Sequence, residues 1–200
     1  MFKLSTKEIH IFDIDGCIFP ARNGNGEHIM PTKFKSKNTT KEIIEIINRM
    51  KEVELFSSFI DFYKFVNNNV KQVKNYYITG RDKKNFQIIT LEQLSILNTI
   101  INRDTIIFFP DKKPLTKKSY YNFKFTHILK IITDDNGLSK INIYDDRFQH
   151  YNILKEKLKD NTNDIHFYMV KEPEQFWDLM LKKYKDLIKS IDSKKRGWRK

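Results

Sequence analysis

Five short strand-like runs, each separated from the next by a segment of helical apolar spacing, constrain this chain more than any other feature. The runs cover residues 8–15, 75–79, 105–109, 140–144 and 165–170. The first alternates polar and apolar residues, and the next three are rich in Tyr, Ile and Phe, as strands are. Between them, Ile43, Ile44, Ile46 and Ile47 follow a capping Thr40, and similar spacing recurs over 57–66, 84–97, 121–133, 148–158 and 174–188. Strands that alternate with helices predict an α/β fold of three layers, Rossmann-like, with a mostly parallel central sheet and helices on both faces. Residues 1–192 are read as one domain. The segment over about 20–74 is read as a small cap or only a crossover connection, and 193–200 as a basic tail.

In a parallel sheet, ligands bind beyond the carboxyl ends of the strands, so residues at those ends form one group however far apart in sequence. Here that group holds Asp13 and Asp15, then Thr79, Gly80 and Arg81, then Asp145, Asp146 and Arg147. Four carboxylates in one crevice repel each other unless a divalent cation neutralises part of their charge. An all-oxygen set favours magnesium, and the sequence offers no comparable cluster of His and Cys for zinc.

Phe12-Asp13-Ile14-Asp15-Gly16 resembles the first motif of the haloacid dehalogenase (HAD) superfamily, Tyr77-Ile78-Thr79-Gly80-Arg81-Asp82 the second, and Ile143-Tyr144-Asp145-Asp146-Arg147 the fourth. All three stand in the family's order, each at a strand end. The family's third motif is a lysine, for which Lys112, Lys113, Lys117, Lys118 and Lys124 are candidates. Lys124 is favoured, since Phe123-Lys124 resembles the pattern of HAD phosphatases of nucleic-acid repair, with Lys118 second. The resemblance implies a Mg2+-dependent phosphatase. Asp13 is then the covalent nucleophile and Asp15 the acid/base, while Thr79, the Gly80 amide and Lys124 hold phosphoryl oxygens. The metal falls to Asp13, the Asp15 carbonyl, and one or both of Asp145 and Asp146. Cys17 departs from the Thr or Ser usual after the motif glycine, and is read as a small buried residue. His150 is read as a helix residue facing a carboxylate.

The second and fourth motifs are most similar to polynucleotide 3′-phosphatase domains and to the Swiss Army Knife RNA-repair-like HAD proteins. Arg81 and Arg147 suit a second phosphate or a nucleotide, or else pair with Asp82 and Asp146. The net charge of +12 favours an anionic partner, here a phosphorylated DNA or RNA end, with basic stretches at 112–124 and 194–200 and Trp198 available for stacking. No glycine-rich loop ends in Gly-Lys-Ser or Gly-Lys-Thr, so no kinase is expected. A single cysteine and the lack of a signal-like start predict a soluble intracellular protein, with no membrane span. The alternatives are a small-molecule HAD phosphatase and a non-catalytic HAD-like binding protein.

Overall fold

The structure is a computed structural model that describes residues 4–30, 39–97, 105–110, 116–135, 139–161 and 164–197. Strands β1 (Leu4–Asp13), β2 (Val70–Asp82), β3 (Ile106–Phe109), β4 (Lys140–Asp145) and β5 (Ile165–Met169) form one sheet in the order β3-β2-β1-β4-β5. Every pairing is parallel. The chain winds from β1 out to β3, then returns to lay β4 on the other side of β1. That reversal opens a crevice between the carboxyl ends of β1 and β4.

Helices α1 (Thr40–Lys51), α2 (Ser57–Asn69), α3 (Lys83–Leu94), α4 (Lys117–Asp134), α5 (Phe148–Lys157) and α6 (Pro173–Gly197) cover the sheet. One apolar core joins the sheet to α1, α2, α3 and α6 through residues such as Phe12, Met50, Phe62, Phe86 and Trp177. A second core, built on Ile9, Ile11, Ile128, Ile143 and Leu154, joins the opposite face to α4 and α5. The three-layer Rossmann-like architecture expected from the sequence is the one found. Helix α2 packs against α6 and β2, and α1 against α3.

Several boundaries differ from the sequence reading, each for a local reason. Thr39, not Thr40, caps α1, in a reciprocal box with Glu42. Helix α4 starts at Lys117, four residues before the expected 121, because Thr116 and Ser119 cap each other there. Lys124 therefore sits two turns inside the helix. Strand β2 begins at Val70, since buried Val70 and the exposed Gln72 still pair with the start of β1. Helix α6 continues to Gly197, so 193–197 of the expected tail is helical, while 198–200 lies outside the described residues. The polar face of β1 is not a solvent face. Glu8 and His10 are buried, with the Tyr184 hydroxyl donating to Glu8 Oε2 at 2.5 Å and His10 Nδ1 3.1 Å from the Tyr144 hydroxyl.

Candidate active site

Asp13 is the last residue of β1 and is buried at the crevice. Beyond it the chain turns sharply, the Ile14 carbonyl accepting from the amides of Ile18 and Phe19, both at 3.1 Å. The Trp177 indole N–H donates to the Cys17 carbonyl at 2.9 Å and ties this turn to α6. Gly16 has φ +85°, and a Cβ there would stand 2.4 Å from Asp146 Oδ2. Only glycine lets the turn pass under that carboxylate. Cys17 is fully buried, and burial, with the nearby carboxylates of Asp13 and Asp146, pushes its thiol well up, as suits a small packing residue.

Asp13, Asp145 and Asp146 bring carboxylate oxygens within 4.8 Å of one another. Into this group α4 sends Lys124, its Nζ 3.0 Å from Asp13 Oδ1 and 2.5 Å from Asp145 Oδ2. Burial works against the ammonium, yet Asp13 and Asp145 outweigh it and hold Lys124 well above its ordinary pKa. Burial also disfavours the Asp145 carboxylate, but Lys124 and His150 more than offset it and pull Asp145 down. Asp146 behaves oppositely. Burial, then Asp13 and Asp145, push it up to about 8. Its Oδ1 is buried without a hydrogen-bond partner, so one ligand oxygen is uncommitted beside two other carboxylates. This hard, oxygen-only donor set fits a divalent cation such as magnesium.

Thr79 lies at the crevice on β2, its Oγ1 accepting the Arg81 amide at 3.1 Å, which leaves the hydroxyl proton free to donate elsewhere. Gly80 faces the Tyr120 ring, where a Cβ would sit 3.4 Å from the ring carbons. The Tyr120 hydroxyl donates to Asp13 Oδ1 at 3.2 Å. Sequence reasoning missed Tyr120, although it precedes Lys124 by four residues and so shares its helix face.

Of the other candidate lysines, Lys118 is exposed, while Lys112, Lys113 and the Lys117 side chain lie outside the described residues. His150 Nδ1 stands 3.1 Å from Asp145 Oδ2, facing a carboxylate as expected. The two arginines part company. Arg147 is exposed at the N-cap of α5, its guanidinium 5.9 Å from the Tyr120 ring centroid, within the field of Asp13. Arg81 corrects the expectation of a substrate-facing group, because it is fully buried and its Nη2 pairs with Asp15 Oδ1 at 2.6 Å. A buried guanidinium needs a carboxylate, and Asp15 supplies it where Asp82 does not. Asp82 instead caps α3, accepting the Asn85 amide at 2.8 Å.

A family model described as HAD domain family 1 in Swiss Army Knife RNA repair proteins matches residues 68–195. The match spans Thr79, Lys124, Asp145 and Asp146 but begins after Asp13 and Asp15, which the fold brings to the same crevice. Among solved structures, the chain is similar to the HAD domain of the effector protein Lem4 from Legionella pneumophila. Identity is 19%, with 90% of this chain and 94% of that one covered and a TM-score of 0.53. An inactive mutant of the same domain matches at 19% identity, 90% and 98% coverage and a TM-score of 0.51. At that identity the likeness speaks for the fold alone. No curated protein matches the chain. With the family's model covering more than half of its length, and the HAD architecture built around these strand ends, the chain belongs to HAD domain family 1 of the Swiss Army Knife RNA repair proteins.

Proposed function

We propose that this protein is a Mg2+-dependent phosphomonoesterase working through an aspartyl-phosphate on Asp13, with a phosphorylated nucleic-acid end as substrate. The observation that carries the reading is the meeting of a buried lysine with Asp13, Asp145 and Asp146 at the strand-order reversal, an arrangement suited to a phosphoryl group and its metal. Asp13 attacks phosphorus as the bond to the leaving oxygen breaks, and Asp15 gives that oxygen a proton. Asp15 then takes a proton from water, which attacks phosphorus and releases Asp13 and inorganic phosphate. Two in-line steps replace one harder displacement.

Asp13, Asp146 and the Asp15 carbonyl would hold the magnesium, with Asp145 behind them orienting Lys124. When bound, the ion shields the nucleophile from the anionic ester and balances charge on the transferring oxygens. Thr79, the Gly80 amide and Lys124 would take the phosphoryl oxygens. Arg147, exposed at the rim, would take a neighbouring phosphate of a polymer. The description of the family and the net charge of +12 support a nucleic-acid end over a metabolite, and the 3′ preference rests on the likeness of the second and fourth motifs to polynucleotide 3′-phosphatase domains.

The test is a panel of 3′- and 5′-phosphorylated oligonucleotides, nucleotides and sugar phosphates, assayed with magnesium alongside p-nitrophenyl phosphate. Turnover of 3′-phosphorylated oligonucleotides ahead of the others is expected. A sugar phosphate turned over much faster at low salt would remove the nucleic-acid reading, and full activity in EDTA would remove the metal.

A further inference from the structure

Asp15 is joined through Arg81 to a set of buried polar groups that no motif contains. The Arg81 fork grips Asp15 by Nε, 3.0 Å from Oδ2, and by Nη2, 2.6 Å from Oδ1. Its third nitrogen, Nη1, points away from the crevice into α3, donating to Thr90 Oγ1 at 3.0 Å and to Gln93 Oε1 at 2.8 Å. Thr90 is fully buried. The Gln93 amide is itself fixed from behind, since Nε2 donates to the Met50 carbonyl at 2.5 Å and lies 3.4 Å from that of Val53, at the end of α1. A flipped amide would turn its N–H groups on the guanidinium and its oxygen on two carbonyls, so only one orientation satisfies every group.

We propose that Gln93, with Thr90, is a positioning residue for Asp15: it locks the Arg81 plane so that the opposite edge of the guanidinium fixes the carboxylate toward the leaving oxygen. The inference rests on the phosphatase reading above, in which Asp15 is the acid. A guanidinium is planar and rigid, so two acceptors on one edge determine where the other edge points. Oδ1 takes both Nη2 and, at 3.2 Å, Nε, whereas Oδ2 takes Nε alone and so keeps a lone pair for proton transfer while the carboxylate is held. Without Gln93, Nη1 keeps one acceptor and the plane can rotate about the Thr90 contact, carrying Asp15 with it.

Leaving-group dependence reads this role. The p-nitrophenolate ion departs without a proton, whereas an alkyl oxygen needs the acid, and kcat/KM reports only the steps up to aspartyl-phosphate formation. Gln93→Leu is expected to lower kcat/KM for β-glycerophosphate on the order of tenfold more than for p-nitrophenyl phosphate. Thr90→Val, nearly isosteric, is expected to show the same bias at smaller size, and reads the network if Gln93→Leu does not fold. Equal losses on both esters in folded variants, or none, would overturn the proposal. Should the wild-type protein hydrolyse neither these esters nor a 3′-phosphorylated oligonucleotide, the phosphatase reading fails, and the Arg81 Nε–H signal in 15N NMR still decides the positioning. Its hydrogen exchange is expected to quicken in either variant, and an unchanged signal overturns the locking of Arg81.

Discussion

The Lys124 ammonium stands 3.0 Å from the Asp13 carboxylate with both side chains buried, although 111 positions of sequence and two strand crossovers separate them. Lys124 balances charge on Asp13 and Asp145 in so dry a place, and in the proposed reaction it would also hold a phosphoryl oxygen. Lys124→Met leaves Asp13 and Asp145 without their ammonium, with the Tyr120 hydroxyl and His150 remaining beside them. Turnover is expected to be lost, and stability in EDTA to fall by about 3–5 kcal/mol, the usual result of breaking a buried pair from one side. Chemical denaturation with and without magnesium measures it, and an active Lys124→Met would reassign the third motif.

Asp13→Asn is expected to lower turnover of p-nitrophenyl phosphate on the order of a thousandfold or more, as loss of a covalent nucleophile does. Its circular dichroism should match the wild type, since an amide fills the same volume beside Lys124 and Tyr120. Normal turnover by this variant would remove Asp13 from the nucleophile's place.

Magnesium should stabilise the protein more at pH 8 than at pH 6. The Asp146 carboxyl is raised to about 8 in the folded protein by burial and by Asp13 and Asp145, above its ordinary 3.8. Its stabilising contribution is therefore complete below the unfolded pKa and is lost as pH rises through the folded one. An ion bound to the deprotonated group reverses that loss. Thermal melting in EDTA and in magnesium between pH 5 and 9 should show a gap that widens toward pH 8, and in Asp146→Asn the gap should no longer follow pH. A pH-independent gap in the wild type would count against Asp146 as a ligand.

Gly16→Ala tests the turn under Asp146. A Cβ at φ +85°, 2.4 Å from Asp146 Oδ2, strains the backbone and displaces the carboxylate. A stability loss of about 1–3 kcal/mol is expected, together with weaker magnesium binding by calorimetry. Unaltered magnesium affinity would mean that the Asp146 position is not critical.

The two arginines should separate cleanly. Arg147→Ala is expected to leave stability within about 0.5 kcal/mol while raising KM for oligonucleotides. It should also flatten the salt dependence of kcat/KM by about 0.7 in log–log slope, the value for one phosphate contact on a single strand. Arg81→Ala, which strips Asp15, Thr90 and Gln93 of their partner, should destabilise the protein strongly and damage turnover of every ester. Equal behaviour of the two variants would contradict the burial of one and exposure of the other.

By itself the sequence determined the layer order and the residues that meet at the strand ends. Parallel strands alternating with helices force Asp13, Thr79 and Asp145 to one edge, and the glycines after Asp13 and Thr79 mark where backbone must pass close to a side chain. Local patterning could not say what faces those residues from elements far along the chain. The alternation in β1 reads as one dry and one wet face, yet α6 covers Glu8 and His10 and the Tyr184 hydroxyl satisfies the acid. Lys124 was favoured over Lys118 only by its likeness to a family pattern; the docking of α4 sets it beside Asp13 and leaves Lys118 exposed, because helix phase against the sheet sets which side chain points inward. Arg81 beside Asp82 looked like a loop pair or a substrate clamp. The tertiary structure turned it inward to Asp15, Thr90 and Gln93, for a buried cation takes the carboxylate and acceptors that the packing brings to it, whatever their distance in sequence.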